Sequence, residues 1–171
     1  MANFRETIGI KILQRHTPAE KSEALRQLTK SKIVGVVYNT QRLSRKEFNK
    51  VLHVFESEGI KAESLGFVND KELKEEHLSE KGDVFYCKKD LSFWYLPKGV
   101  SVNQFTEKQF DYLINLDCTG LLPLQAISAR SKAKVRMAKH FEQYAFAHDF
   151  MSETKADSEW ELFEEIIKYI K

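Results

Sequence analysis

The feature that most constrains this chain is the run KIVGVVYN, residues 32–39, which is apolar and β-branched with no alternation of polarity. A strand of that kind is covered on both faces, which requires helices above and below a sheet. A helix follows at once. Ser44 and Glu47 stand at capping-box spacing, Phe48, Val51, Leu52 and Phe55 recur at helical intervals, and Gly59 ends the pattern. The stretch ESLGFVN, 63–69, then reads as a second strand and completes a β-α-β unit.

The alternation continues to the end of the chain. DVFYCKKDL (83–91) predicts a third strand, closed by a turn at Pro97-Lys98-Gly99, and DYLINLD (111–117) predicts a fourth. A helix is expected from Pro123 to Ser131, a fifth strand at AKVRMA (133–138) and a last short strand within 144–151. Ser158 and Glu161 box the start of a final helix that sets Trp160, Phe163, Ile167 and Ile170 on one face. Residues 70–82 are highly charged without an apolar face, as in a loop or a short exposed helix. In the basic segment 1–31, Thr17, Pro18 and Glu20 mark a helix start, with Ala24, Leu25 and Leu28 as a thin apolar stripe.

The expected architecture is therefore α/β. A single Rossmann-like three-layer sandwich with a mostly parallel sheet occupies 32–171, preceded by an N-terminal helical extension over 1–31. A chain of 171 residues suits one such domain. Cys87 and Cys118 are its two cysteines, too few for a disulfide framework. Arg5, Glu6 and Lys11 interrupt what would be the core of a signal peptide, and no apolar run reaches membrane-spanning length. The expectation is a cytoplasmic protein with no membrane partner.

Ligands of open α/β sheets bind beyond the carboxyl ends of the strands. The loops NTQRLS, KKDLSFW and DCTGLLP fall there, and their polar members Asn39, Lys89, Asp90, Asp117, Thr119 and Gly120 are the ligand-binding candidates. Asp117-Cys118-Thr119-Gly120, following YLINL, resembles the nucleophile motif of haloacid-dehalogenase-type phosphotransferases. That resemblance implies an Asp that attacks phosphorus while backbone N–H groups hold the phosphate. Here Thr119 replaces the second acid usual two residues on, and no acidic cluster stands clear of the last helix to hold magnesium. The 54 residues after Asp117 are also too few to complete such a domain. A loop hydrogen-bonding role is expected for Asp117 instead.

Other chemistry finds little support. Nothing in the spacing of His140 or His148 places a base beside Cys118, and the five histidines have no metal-ligand pattern, so no metal is expected. The loop after the first strand contains no glycine, which excludes a P-loop or a dinucleotide fingerprint, and no cofactor is expected. Phe93-Trp94-Tyr95 beside Lys88 and Lys89 reads as packing at the sheet edge, the alternative being a platform that stacks a base.

Charge is distributed unevenly. Residues 1–50 hold eleven Lys and Arg against four acids, and 142–171 hold three against eight. Between Cys118 and Phe141 there is no acid, whereas Arg130, Lys132, Lys134, Arg136 and Lys139 lie within that stretch. Such a basic surface suits a protein or phosphate-bearing partner, with nucleic acid left open, or else is a solvated helix end and strand edge.

The stretches LGFVND, CKKDLSFWYLPK and FDYLINLDCTGLLPLQAISARSKAKVRMAKH together resemble an uncharacterised bacterial α/β domain family of about this length, which implies no activity. Residues 110–140 are also similar to the acceptor-side domain of heptosyltransferase-like glycosyltransferases, where a strand ending in Asp precedes a helix and a further strand. Ala138 stands where that pattern has glycine, and there is no second domain to bind a sugar nucleotide. Two functional readings follow. The first is a non-enzymatic interaction protein using the basic surface. The second is a small enzyme or sensor for a phosphorylated metabolite at the strand ends.

Overall fold

The computed structural model describes residues 3–18, 30–78 and 83–171. Its sheet has six strands: β1 (Ile33–Asn39), β2 (Lys61–Val68), β3 (Asp83–Cys87), β4 (Tyr112–Asn115), β5 (Val135–Lys139) and β6 (Phe150–Ser152). Every pairing is parallel, in the order β3-β2-β1-β4-β5-β6. The order reverses between β1 and β4, so the loops after these two strands diverge. The helices are α1 (Phe4–His16), α2 (Arg45–Ser57), α3 (Val100–Glu107), α4 (Leu122–Arg130) and α5 (Glu159–Lys168).

The period of two along β1 sorts the core. Val34, Val36 and Tyr38 face one side, where Phe48, Val51 and Phe55 of α2 and Leu162, Phe163 and Ile166 of α5 cover them. Val37 faces the other side with Leu113, under Val102 and Phe105 of α3 and Leu124 and Ile127 of α4. Both faces of β1 are thus dry, as its unbroken apolar run requires. The expected capping box of α2 is present: Ser44 Oγ accepts from Glu47 N, and the Glu47 carboxylate accepts from Ser44 N at 3.0 Å.

Three features add to or depart from the sequence expectation. First, inside the helical extension expected over 1–31, α1 covers residues 4–16, ahead of the helix start expected at Thr17. Gly9 and Leu13 are its buried positions, too thin a stripe to show periodicity. It lies along α4, with Leu13 packed among Leu122, Ala126 and Ala129. The helix expected from Pro18 onward falls outside the described residues. Second, α3 forms between the turn at Pro97-Gly99 and β4, entered through Gly99 at φ 113°. Third, β3 stops at Cys87, because Lys88–Asp90 form a 3-10 turn in which Asp90 Oδ2 accepts from Cys87 N at 2.9 Å. Residues 142–147, half of the span expected to hold the last strand, are likewise a 3-10 segment, and β6 begins at Phe150.

Candidate functional site

At the carboxyl edge, the β4–α4 loop is built inward. Asp117 is fully buried. Its Oδ1 accepts from Thr119 N and Thr119 Oγ1, both at 2.9 Å, and its Oδ2 accepts from Leu121 N at 2.6 Å and Gln125 Nε2 at 2.8 Å. Below it Asn115, also fully buried, accepts from Asp117 N and donates from Nδ2 to Leu124 O and Ser128 Oγ, both at 3.0 Å. Because Gln125 spends its amide N–H on the carboxylate, its Oε1 must face His148 Nε2 at 2.7 Å, and that nitrogen carries the proton. Tyr86 on β3 donates to Pro123 O at 3.0 Å, and burial, reinforced by the Asp117 charge, raises its hydroxyl well above the usual tyrosine range. The loop is a closed polar network in the core.

Chemically, this leaves Asp117 no lone pair aimed at solvent. A carboxylate nucleophile needs an approach line, and all four contacts made by this one come from its own loop and helix. Cys118 is nearly buried as well. Burial first, and then the charge of Glu159, push its thiol up to about 12. Beside it, Glu159 at the start of α5 is 1% exposed and accepts from Arg42 Nε at 2.6 Å, while Arg42 also donates to Asp157 O at 2.7 Å. This bridge ties the loop after β1 to the approach to α5.

Helix N-termini at this edge are the natural places for a phosphate. Two are already occupied by carboxylates of the chain. Glu47 sits over α2, its carboxyl held below the usual range chiefly by the Ser44 hydroxyl and then by Ser44 N–H. Asp117 takes Leu121 N, the capping residue of α4, and Pro123 removes a further donor from that first turn.

The other candidates lie apart. Asn39 Oδ1 accepts from Gln41 N at 3.0 Å within its own turn. Lys89 is an exposed cation paired with Glu72, and Asp90 caps Cys87. Thr119 is exposed above Asp117. Of the six, Gly120 alone lines the large groove at this edge, a cavity of about 740 Å³ bounded by Thr7, Ile10 and Lys11 of α1, Leu121 and Leu122, and Gln143 and Tyr144. Gly120 adopts φ 73°, and a Cβ there would meet the Phe141 ring at 3.2 Å. Phe93, Trp94 and Tyr95 serve α1: Arg5 Nε donates to Phe93 O at 2.8 Å, with its guanidinium over the Phe93 and Tyr95 rings.

The basic stretch divides. Arg136 is buried and joined to Asp149 by two guanidinium contacts at 2.9 and 3.1 Å, which takes it off the surface. Lys139 donates to Ala156 O at 2.7 Å. Arg130, Lys132 and Lys134 remain around a second groove, of about 730 Å³, at the amino edge of the sheet, where α1, α3 and α4 end. Lys132 pairs with Glu107, and Lys134 with Asp111 at 2.6 Å. Arg130 donates to Pro97 O and Asn103 Oδ1, both neutral acceptors, and among the described residues it forms no ion pair.

The network residues Asn115, Gln125, Ser128 and His148 carry no motif. One local signal was available in the sequence: Asn115 and Gln125 interrupt an otherwise apolar strand and helix. Among the described residues no three His, Cys, Asp or Glu side chains are grouped to hold a metal, and no helix is long and apolar enough to cross a membrane. A search of curated proteins found no match. A family model described as "Family of unknown function (DUF6913)" matches residues 5–171, which is nearly the whole chain, and the protein belongs to that family.

Proposed function

We propose that this chain is a non-enzymatic cytoplasmic interaction protein built on a Rossmann-like domain, with its contact surface in the basic groove at the amino edge. The strand order, reversed between β1 and β4, supports the Rossmann-like reading. The observation that carries the functional reading is the inward engagement of Asp117. The one carboxylate positioned for chemistry at a central strand end is spent on four internal hydrogen bonds. The chain's own carboxylates at the first turns of α2 and α4 argue against a phosphorylated metabolite there, because an incoming phosphate would meet like charge. Arg130, Lys132 and Lys134 instead present positive charge around a concave surface.

The test is quantitative affinity capture from cell extract with the full chain, comparing wild type with Lys132→Glu/Lys134→Glu. Arg130 is left in place, since its bonds to Pro97 and Asn103 hold α3 and its entry turn. Partners captured by wild type and lost from the double variant support the reading. An identical partner set removes this surface from consideration. The local similarity of residues 110–140 to glycosyltransferase acceptor domains bears on the fold alone and licenses no activity.

A further inference from the structure

We infer that the amino-edge groove takes an extended, carboxylate-rich segment of a partner protein. This inference rests on the interaction reading above and names the partner class for that surface. The first observation is spacing. The chain leaves α4 through Ser131 in an extended conformation, and Lys132 N and Lys134 N bond to Thr106 O and Phe110 O, both at 2.9 Å. Alternate N–H groups therefore turn to one edge, and the Lys132 and Lys134 side chains stand on one face of the segment, which bends at Lys134. Alternate positions of an extended chain lie roughly 6.5–7 Å apart, the same interval that separates alternate carboxylates on an extended acidic peptide.

The second observation is that these cations do not converge. Lys132 reaches Glu107 and Lys134 reaches Asp111, two separate acids, so the ammonium groups stand as separate single charges. Arg130 spends one N–H of each terminal nitrogen on Pro97 O and Asn103 Oδ1, so its guanidinium is held toward α3 and its entry turn. Separate point charges suit carboxylates strung along a chain better than one compact phosphate. The third observation is composition. Besides its cations, the groove wall contains His16, Asn103, Thr106 and Gln109 with the ion-paired acids Glu107 and Asp149, and among the described residues no Phe, Tyr or Trp lines it, so these offer no stacking platform of the kind single-stranded nucleic acid uses.

Exchange of partners is energetically accessible. The Lys132–Glu107 pair is more than half exposed on both sides, and exposed pairs of this type contribute little, so an incoming carboxylate can replace Glu107. Lys134 keeps Asp111, which is 13% exposed, and adds a second acceptor. Binding of this kind is strongly salt-dependent and fast rather than tight.

Fluorescence anisotropy with the full chain tests the inference, using a labelled ten-residue peptide of alternating Glu and Ser, a labelled single-stranded oligonucleotide and a labelled alternating Lys-Ser peptide. The acidic peptide should bind in 50 mM salt, weaken at least tenfold in 500 mM salt, and weaken at least tenfold in Lys132→Glu/Lys134→Glu, while Lys46→Glu on α2 leaves it unchanged. If the reversal variant does not fold by circular dichroism, Lys132→Gln/Lys134→Gln replaces it, with a threefold loss expected. Oligonucleotide binding that depends on Lys132 and Lys134, without peptide binding, overturns the inference and leaves the basic-groove reading standing. A salt-sensitive dimer in sedimentation, abolished by the double variant, also overturns it, because the occupant is then a second copy. If neither anionic probe binds, or the double variant binds both unchanged, the inference and the reading beneath it both fall.

Discussion

Replacing Asp117 with Asn separates a structural carboxylate from a catalytic one. The substitution is nearly isosteric, and Asn Oδ1 can still accept from Thr119 N and Thr119 Oγ1. Its amide nitrogen then faces Leu121 N and Gln125 Nε2, which stand 2.6 and 2.8 Å from the carboxylate oxygen it replaces. Two interior donors lose their acceptor, each at about 1–3 kcal/mol, so the expected loss is about 2–6 kcal/mol. Flipping the Gln125 amide does not help, because it turns an N–H toward the protonated Nε2 of His148. With a urea dependence of about 2 kcal/mol/M, the unfolding midpoint falls by about 1–3 M. Gln125→Glu in the Asp117→Asn background supplies a carboxylate that accepts from the new amide and from His148, and should recover about half of the loss. A midpoint within about 0.3 M of wild type for Asp117→Asn would falsify the structural role, and absence of rescue would refute the assigned donor directions.

Three further outcomes follow from the same geometry. In Gly9→Ala the new Cβ meets Trp94 O at 2.3 Å, a backbone atom that cannot swing away. The overpacking cost of about 1–3 kcal/mol exceeds the gain in helix propensity of about 1 kcal/mol, so thermal melts should show net destabilisation. Asp149→Asn leaves the Arg136 guanidinium buried without its counter-charge, which costs about 3–5 kcal/mol in denaturant titration, whereas exposed Lys168→Ala on α5 leaves the unfolding midpoint unchanged. Ser44→Ala removes the α2 cap and about 1 kcal/mol at pH 7. Glu47 has a folded pKa below its unfolded one, so this contribution is full above the ordinary glutamate range and is lost as pH falls through the folded value. The stability gap between wild type and Ser44→Ala should therefore narrow in acid.

Much of the scaffold was legible in the sequence because its signals are local. The unbroken apolar run of β1 demanded cover on two faces. The Ser44–Glu47 pair fixed the start of α2, and the amphipathic period of α5 fixed its buried side. These patterns repeat within a few residues and need no knowledge of neighbours. The N-terminal extension was expected to be helical, but the bounds of α1 escaped because its buried positions are Gly9 and Leu13, and at Gly9 close backbone approach replaces an apolar side chain and leaves no periodic mark. Helix α3 escaped because a turn and a positive-φ glycine precede it in place of a capping side chain.

For the site, the sequence alone determined which residue types stand at the carboxyl ends of the strands, and where along the chain acids are absent. Tertiary structure decided what those residues do. Asp117 resembled a nucleophile as long as its neighbours were unknown. Leu121 and Gln125, four and eight residues on, return to it when α4 starts, and with Thr119 they fill its acceptor sites. The acid-free stretch divided for a similar reason. Asp149, thirteen residues beyond Arg136, meets it where β5 and β6 run side by side, while Arg130 reaches neutral acceptors and keeps its charge. A residue's chemistry depends on which groups desolvate it and which satisfy it, and in this chain those groups are set by how the loop after β4 closes onto α4 and by the pairing of β5 with β6, neither of which a periodic pattern displays.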